Sequence, residues 1–261
     1  NTTRSVTVQP DGKIIVVGHF TSFSTSPIDY IARMNPDGSV DTSFNLTSGS
    51  YFNTLGAVYD VELTSSGQII VSGTENLYQY NNQTKKGIIR LNNNGSYDTS
   101  FNAQPFLNPL EDGSVERFAI QPDGKIIINV GTGNYINGTY NYYRLTQSGA
   151  LDTGFISSMD YDEGFIQRFI PQPDGKIIVG GSYSNSSTGI TRNFFHRINS
   201  NGGLDLSFMP YTGTNGEVYR SFVQQDGMIL LIGNFSTYND QYAPQMARID
   251  ISGNFDTSFT F

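Results

Sequence analysis

The chain has 261 residues, a formal net charge of −8 and no cysteine. A protein that binds nucleic acid needs a basic surface, which this acidic chain lacks, and the absence of cysteine excludes disulfides and thiol chemistry. No apolar run reaches the roughly 18 residues that a membrane-spanning helix needs, so we expect no membrane insertion.

The first predicted elements are two β-hairpins. One turns at Pro10-Asp11-Gly12 and the other at Pro36-Asp37-Gly38. Proline presets φ for the first turn position and glycine supplies the positive φ at the third, as in a type I turn closed by a glycine bulge. β-Branched and aromatic residues flank both turns and favour strands. The register of the second turn places Arg33 opposite Asp41.

This arginine and aspartate recur along the whole chain with a period of 51 to 57 residues. Each arginine precedes its aspartate by eight residues, and a phenylalanine lies three residues after the aspartate. The predicted ion pairs are Arg33–Asp41, Arg90–Asp98, Arg144–Asp152, Arg197–Asp205 and Arg248–Asp256, and the phenylalanines are Phe44, Phe101, Phe155, Phe208 and Phe259. The hairpin register explains these pairs without any ligand, so we interpret them as structural.

Two hairpins per repeat predict four strands, and five such repeats predict an all-β fold, a β-propeller of five four-stranded blades. The repeats cover approximately 1–49, 50–106, 107–158, 159–211 and 212–261 of a single domain. We expect the phenylalanines to pack between blades. Two alternatives are a wedge of a larger ring and an open solenoid whose end faces are covered by other chains.

The phrase QPDGKIIVxGxF, followed by ARxNPDGSxDTSF, resembles the delta-sixty repeat family of β-propeller-like proteins. The resemblance covers essentially the whole chain, although the second repeat has Ser65-Ser66-Gly67 in place of the proline turn. It implies a secreted or surface protein of bacteria, or a structural protein of a tailed phage. The motif is specific for the repeat and says little about activity.

The sequence contains none of the usual catalytic signatures, such as HExxH, GxSxG or a phosphate-binding loop. If the first strand of each blade is innermost, the acids Asp60, Glu62, Glu116 and Glu217 are the candidates for a glycoside hydrolase. They do not occupy one matched depth. We therefore predict that the chain is not an enzyme and needs no cofactor, with hydrolase activity as a weaker alternative.

The loops at the end of the blades opposite the hairpin turns are rich in tyrosine, asparagine, serine and threonine. Aromatic rings stack on sugars, and tyrosine offers rigid amphipathic area for recognition. The candidate ligand-binding residues of these loops are Tyr30, Tyr78, Tyr80, Tyr135, Tyr140, Tyr183, Tyr238 and Tyr242. The alternatives are that these rings close off the loops or contact neighbouring chains.

Two charged groups complete the candidate sites. Arg117, Arg168 and Arg220 occupy one matched position of the first strand, where the other two repeats have Ser5 and Asp60. The arginines would attract an anion if they line a channel. The structural alternative is that these arginines pair with nearby carboxylates such as Glu116 or Glu217, or with backbone carbonyls. Asp160, Asp162 and Glu163 form an acidic loop that would offer oxygen ligands to Ca²⁺, or would simply be solvated.

We therefore expect a non-catalytic extracellular or virion-surface module with a structural or adhesive role. Its partners would be a cell-surface glycan or protein receptor, or neighbouring subunits of a fibre or virion. The alternative is a dedicated lectin. Because the sequence starts at Asn1 rather than methionine, we also expect a mature or truncated piece.

Overall fold

The computed structural model describes an almost entirely β-stranded chain. It describes residues 2–23, 28–45, 51–52, 57–110, 113–132, 139–156, 163–184, 195–208 and 212–259. Within these ranges the only helix is α1, Gln104–Leu107. No helix among them is long and apolar enough to cross a membrane.

Twenty short strands make up the rest of the described regular structure. In chain order they are β1 (Thr2–Val8), β2 (Ile14–His19), β3 (Ile31–Met34), β4 (Tyr51–Phe52), β5 (Val58–Leu63), β6 (Ile69–Gly73), β7 (Tyr78–Tyr80), β8 (Gln83–Lys85), β9 (Ile88–Leu91), β10 (Ser114–Ile120), β11 (Ile126–Thr132), β12 (Thr139–Leu145), β13 (Glu163–Pro171), β14 (Ile177–Ser184), β15 (Phe195–Ile198), β16 (Glu217–Val223), β17 (Ile229–Asn234), β18 (Thr237–Tyr238), β19 (Gln241–Tyr242) and β20 (Met246–Ile249).

Five three-stranded sheets follow one another along the chain, one per repeat. Their strand orders are β1-β2-β3, β5-β6-β9, β10-β11-β12, β13-β14-β15 and β16-β17-β20, and we call them blades 1 to 5. Two smaller sheets, β4-β7-β8 and β18-β19, are built from the loops. The protein is thus all-β and consists of five repeats of a β-propeller, as predicted.

The described blades have three strands rather than the predicted four. The fourth strand is reduced to isolated bridges, such as Met34 with Val40 and Leu91 with Tyr97. The ladder ends because the next residue is an aspartate, whose side chain competes with the neighbouring strand for backbone hydrogen bonds. Oδ1 of Asp41 accepts hydrogen bonds from both the backbone nitrogen and the hydroxyl of Ser43, at 2.9 and 2.6 Å. The chain turns there instead of continuing the ladder.

The chain forms two compact units. The first comprises residues 1–120, 124–136 and 144–152, and the second comprises 121–123, 137–143 and 153–261. Blades 1 and 2 lie in the first unit and blades 4 and 5 in the second. The single domain and the repeat boundaries given above stay a prediction.

The hairpin register agrees with the one predicted from the turns. Val8 pairs with Ile14 around the first turn, and the backbone nitrogen of Asp41 donates to the carbonyl of Arg33 at 2.8 Å. Gly12 and Gly38, which close these turns, have φ values of 83° and 85°. A side chain disfavours this left-handed conformation, so glycine is required there.

All five predicted ion pairs are present. In each, Nε of the arginine donates to Oδ2 of the aspartate, at 2.8 Å (Arg33–Asp41), 2.7 Å (Arg90–Asp98), 2.9 Å (Arg144–Asp152), 2.7 Å (Arg197–Asp205) and 2.6 Å (Arg248–Asp256). A lysine from the first hairpin adds a second cation to three of the aspartates, namely Lys13 to Asp41, Lys125 to Asp152 and Lys176 to Asp205. In these three repeats the aspartate therefore connects both hairpins.

The arginines also reach the next blade. Nη1 of Arg33 donates to the carbonyl of Asn93 at 2.5 Å, and Nη1 of Arg90 donates to the carbonyl of Gln147 at 2.7 Å. Both acceptors lie in the second hairpin turn of the following repeat. The Arg33 guanidinium also stacks on Phe44, 4.8 Å from the ring centroid. The arginine thus connects its own repeat with the next one.

The phenylalanines pack between blades, as expected. A β-carbon at Gly95, in the turn of blade 2, would lie 3.1 Å from Cε2 of Phe44 and 2.9 Å from the Asn45 carbonyl. A β-carbon at Gly253, in the turn of blade 5, would lie 3.2 Å from Cε2 of Phe208. The turn glycine therefore allows the ring of the preceding repeat to approach closely.

We predict that Asp205→Asn destabilises the protein far more than Asp256→Asn. The side chains of Arg197 and Asp205 are both 5% exposed, whereas those of Arg248 and Asp256 are 25% and 15% exposed. Removing one partner of a buried pair costs about 3–5 kcal/mol because the other charge stays buried, while a more exposed pair contributes much less because water screens it. Urea denaturation at neutral pH measures both, and equal losses would contradict the prediction.

We predict that stability falls as the pH drops below the usual range of aspartate. Hydrogen bonds from Lys13 and Ser43 lower the pKa of Asp41. Burial raises the pKa of Asp205, but hydrogen bonds from Ser207, Lys176 and Arg197 outweigh it, so this pKa is also lowered.

A carboxylate with a lowered folded pKa contributes stability that is complete above its unfolded pKa of about 3.9 and is lost as pH falls towards the folded pKa. Urea midpoints at neutral pH, near pH 5 and near pH 3 should therefore fall mainly in the last interval. The Asp205→Asn variant should show a smaller fall over that interval. A midpoint that does not change with acidification would overturn this account.

Candidate functional site

Each blade carries a β-bulge at the same place in its first strand. The register shifts lie between Thr3 and Ser5, Val58 and Asp60, Val115 and Arg117, Ile166 and Arg168, and Val218 and Arg220. The residue after each bulge is the matched position singled out from the sequence. A bulge re-aims a side chain and is over-represented beside active sites, so the residues at this position are candidates for a functional site.

In blades 1 and 2 the residues after the bulge meet. The Ser5 hydroxyl donates to Oδ1 of Asp60 at 2.6 Å, and the backbone nitrogen of Val61 donates to the same oxygen at 2.9 Å. Asp60 is 7% exposed. Among the described residues nothing donates to its other oxygen, Oδ2. The carboxylate is therefore held through one oxygen while the other is available.

The first strands of blades 2 and 3 lie next to each other. Oε2 of Glu62, two residues beyond Asp60, accepts from the backbone nitrogen of Ile120 at 3.0 Å. Arg117, at the matched position of blade 3, is half-buried, and its Nη1 donates to the Glu116 carbonyl at 2.8 Å. The Asp60 carboxylate and the Arg117 guanidinium thus occupy equivalent positions on neighbouring strands.

Two buried polar side chains stand across the ladder from these groups. The register pairs Asp60 with Ser72 and Arg117 with Asn129. The Ser72 hydroxyl and both amide atoms of Asn129 are buried and make no hydrogen bond within the described residues. Buried polar groups are nearly always paired, so such an exception needs an explanation. Sequence reasoning missed both residues, although the matched positions Val17 and Ile232 are apolar and could have signalled them.

The other two arginines of the matched set lie in the second unit. Arg168 is half-buried, and Arg220 is exposed and donates from Nη1 to the Tyr219 carbonyl at 3.0 Å. They stand across the ladder from Gly180 and Ile232. Binding of an anion by the matched arginines stays a prediction.

The structure places most of the described candidate tyrosines in the interior. Tyr30, Tyr78 and Tyr238 are 2%, 0% and 0% exposed. Tyr78 packs against Phe52 and Tyr97, with ring centroids 5.0 and 5.7 Å apart. These three rings pack in the interior beneath the loops. They do not form the exposed stacking surface that was expected. For Tyr78 and Tyr238 the reason is that their loops fold back as the short strands β4, β7, β8, β18 and β19.

The remaining candidates divide into two groups. Tyr80 is half-buried and stacks on Tyr97 at 4.4 Å, whereas Tyr242 is 80% exposed. Tyr135, Asp160 and Asp162 lie outside the described residues, and the side chains of Tyr140, Tyr183 and Glu163 are not described. Among the described residues no cluster of three or more histidine, aspartate or glutamate side chains could hold a metal ion.

A cavity of about 410 Å³ lies in the first unit, beside the outer strand of blade 1. Its charged lining residues are Asp29, Arg33 and Asp41. Arg33 and Asp41 are already paired with each other, and the rest of the lining is mainly apolar, with Phe44, Phe52 and Tyr51 among it. This cavity offers no uncommitted pair of groups for catalysis, unlike the Asp60 position.

Comparison with known proteins identifies the repeat. The chain matches the model of a family described as "Domain of unknown function (DUF5122) beta-propeller" at residues 9–44, 64–101, 121–155, 172–208 and 224–259. These five matches each contain one Arg–Asp pair. No curated protein matches the chain.

Solved structures with a similar fold include enzymes. A gluconolactonase from Xanthomonas campestris matches with 14% identity and a TM-score of 0.50, over 88% of this chain and 69% of that one. An endo-arabinase from Bacteroides thetaiotaomicron matches with 15% identity and a TM-score of 0.39, over 92% of this chain and 89% of that one. At such identities the likeness shows the fold alone.

These matches correct two predictions. The chain was predicted to be a non-catalytic adhesion or structural module, with a lectin as alternative, and not to be an enzyme. A fold that it shares with a gluconolactonase is one that supports catalysis, so both predictions are wrong. They rested on the absence of familiar motifs, and a propeller builds its sites from several blades rather than from one contiguous motif.

We predict that Tyr238→Phe destabilises the protein and that Tyr242→Phe does not. The Tyr238 hydroxyl donates to the Gly253 carbonyl at 2.7 Å in the interior, and leaving that acceptor unpaired costs about 1–3 kcal/mol. Tyr242 is exposed, so its change should stay within about 0.5 kcal/mol. Urea denaturation gives both values, and wild-type stability of Tyr238→Phe would contradict the buried hydrogen bond.

Proposed function

Because the chain belongs to the DUF5122 β-propeller family, whose description names no reaction, we propose its function from the Asp60 position. The chain is a hydrolase that uses Asp60 to add water to a small carbonyl substrate of the sugar-lactone type. The reaction takes place beside the bulged first strands of blades 1 to 3.

The observation that carries the proposal is the state of the Asp60 carboxylate. Its Oδ1 is fixed by the Ser5 hydroxyl at 2.6 Å and by the Val61 amide at 2.9 Å, while Oδ2 has no partner among the described residues. A general base must be held in place and must keep one lone pair available. The group meets both requirements, and a purely structural aspartate such as Asp41 has both oxygens engaged.

Lactone hydrolysis needs a carboxylate of this kind as general base. Oδ2 of Asp60 takes a proton from water as the water oxygen bonds to the carbonyl carbon of the lactone. The ring C–O bond then breaks, and the leaving alkoxide takes the proton back from Asp60. Lactone and water give one hydroxy acid, and the carboxylate is regenerated.

Neighbouring groups supply charge and polarity. Arg117, at the equivalent position of the adjacent strand, offers a fixed positive charge to the negative charge that develops on the carbonyl oxygen. Ser72 and Asn129 stand across the ladder from Asp60 and Arg117, and their buried side chains add polar groups beside the carboxylate and the guanidinium.

The similarity of fold to a gluconolactonase from Xanthomonas campestris suggests the substrate class. Asp60 and its partners support a base-assisted hydrolysis, and lactone opening is the simplest reaction of that kind. We also infer that the repeats are of the delta-sixty type, and we expect export from the cell, as that resemblance implies.

The test is hydrolysis of gluconolactone and other sugar lactones by the purified chain. Acid release, followed with a pH indicator, should exceed the spontaneous rate, with Ca²⁺ and with a chelator as separate conditions. Asp60→Asn should lower the catalysed rate at least about 100-fold, the usual contribution of a general base.

Asp29→Asn is the matched control, because Asp29 is an exposed carboxylate in the same unit and away from the bulges. It should leave the rate unchanged, and circular dichroism should show that both variants fold. The proposal fails if the wild-type chain opens no lactone, or if Asp60→Asn retains the wild-type rate.

A further inference from the structure

The first strands of blades 2 and 3 are joined by a side chain instead of by a ladder. In the described sheets β5 is hydrogen-bonded only to β6, and β10 only to β11. Each strand therefore presents an edge, whose N–H groups need acceptors. Oε2 of Glu62 on β5 accepts from the backbone nitrogen of Ile120 on β10 at 3.0 Å. The carboxylate thus takes the place of a neighbouring strand at this edge.

Strand β5 is anchored on both sides. Asp60 accepts from Ser5 of blade 1 at 2.6 Å, and Glu62 accepts from Ile120 of blade 3 at 3.0 Å. The two carboxylates share one face of β5, because the register is regular from Asp60 onwards and side chains alternate along a strand. They are two residues apart, which is about 6.6 Å along the strand. The strand that carries the proposed general base is therefore held by both neighbouring blades.

The hydrogen bond of Ile120 also acts on the strand that carries Arg117. Arg117 precedes Ile120 by three residues on β10, which is about 10 Å along the strand. Both residues belong to the ladder with β11, and the two residues between them, Phe118 and Ala119, are buried. This part of β10 is thus a packed strand, so an anchor at Ile120 fixes the backbone of Arg117 as well.

The repeat pattern shows that a carboxylate is not needed here for packing. Two residues after the bulge position, the five first strands have Thr7, Glu62, Ala119, Ile170 and Phe222. Alanine, isoleucine and phenylalanine side chains offer no acceptor, yet their blades have the same strands. The one repeat with a carboxylate at this position is also the one with an aspartate after the bulge. Glu62 therefore goes with the candidate site and not with the repeat.

We propose that Glu62 is a positioning residue for the reaction at Asp60. Its hydrogen bond to Ile120 holds β10 against β5 and so sets the distance between the Asp60 carboxylate and the Arg117 guanidinium. This inference rests on the function proposed above. In this role Glu62 neither takes nor gives a proton, and it acts through Arg117.

The distance matters because a fixed charge stabilises a transition state only when it is already aligned with the charge that develops there. A displacement of about 1 Å can lower a rate about 100-fold. Arg117 would act on negative charge that is present only in the transition state. Loss of the anchor should therefore lower kcat and kcat/KM together and leave KM nearly unchanged.

The first test compares Glu62→Ala with Glu62→Gln in the lactone assay. Alanine removes the acceptor and should lower kcat at least about tenfold, with KM changed by less than about twofold. Glutamine keeps a side-chain oxygen that can accept from Ile120, so it should keep kcat within about threefold of the wild-type value. Equal losses in the two variants would show that the charge and not the hydrogen bond is needed, and would overturn the proposal.

A double-mutant cycle tests whether Glu62 acts through Arg117. Arg117→Ala alone should lower kcat about 100-fold, as the loss of one transition-state donor does. Adding Glu62→Ala to Arg117→Ala should cause no further fall, because the group that Glu62 positions is already gone. If Glu62→Ala lowers kcat by the same factor in both backgrounds, Glu62 acts independently of Arg117 and the proposal is wrong.

Hydrogen exchange gives a readout that does not need activity. The Ile120 amide, followed by NMR, should exchange at least about tenfold faster in Glu62→Ala and at nearly the wild-type rate in Glu62→Gln. Circular dichroism and urea midpoints show whether both variants are folded under the assay conditions. An Ile120 amide that exchanges equally in the wild-type chain and Glu62→Ala would remove the anchor on which the role depends.

The same assays separate this proposal from the proposed function. A wild-type chain that opens no lactone overturns both. A wild-type chain that opens lactones, together with an inactive Asp60→Asn variant and a Glu62→Ala variant with the wild-type kcat, overturns the role of Glu62 alone.

Discussion

The arginine of the second hairpin is the interaction on which the rest of the structure depends. Its Nε binds the aspartate of its own repeat, its Nη1 binds a turn carbonyl of the next repeat in three described cases, and its plane stacks on the phenylalanine that follows. A buried guanidinium must have its donors satisfied. Since one acceptor lies in the same repeat and another in the next, Arg33, Arg90 and Arg197 each need two repeats to satisfy their donors.

This requirement explains why so much of the fold could be predicted. A turn of known geometry fixes the register, the register fixes which residue faces the arginine, and repetition of the spacing confirms both. The fourth strand could not be predicted in the same way. Its pairing with the third strand continues only to Val40. The backbone then turns, because Ser43 donates hydrogen bonds to the Asp41 carboxylate. Competition between a side chain and the ladder depends on local geometry that a strand pattern does not contain.

The position of the candidate site could be predicted from the sequence, but the set of side chains that form it could not. The repeat phase placed Ser5, Asp60 and Arg117 at one level, and the structure shows that Ser5 and Asp60 are in contact. Tyr30, Tyr78 and Tyr238 lie in the interior rather than on a ligand face because amphipathic rings suit both places equally well, and only tertiary packing distinguishes them. Ser72 and Asn129 were missed because a single polar residue in an apolar strand resembles ordinary variation until its partners can be examined.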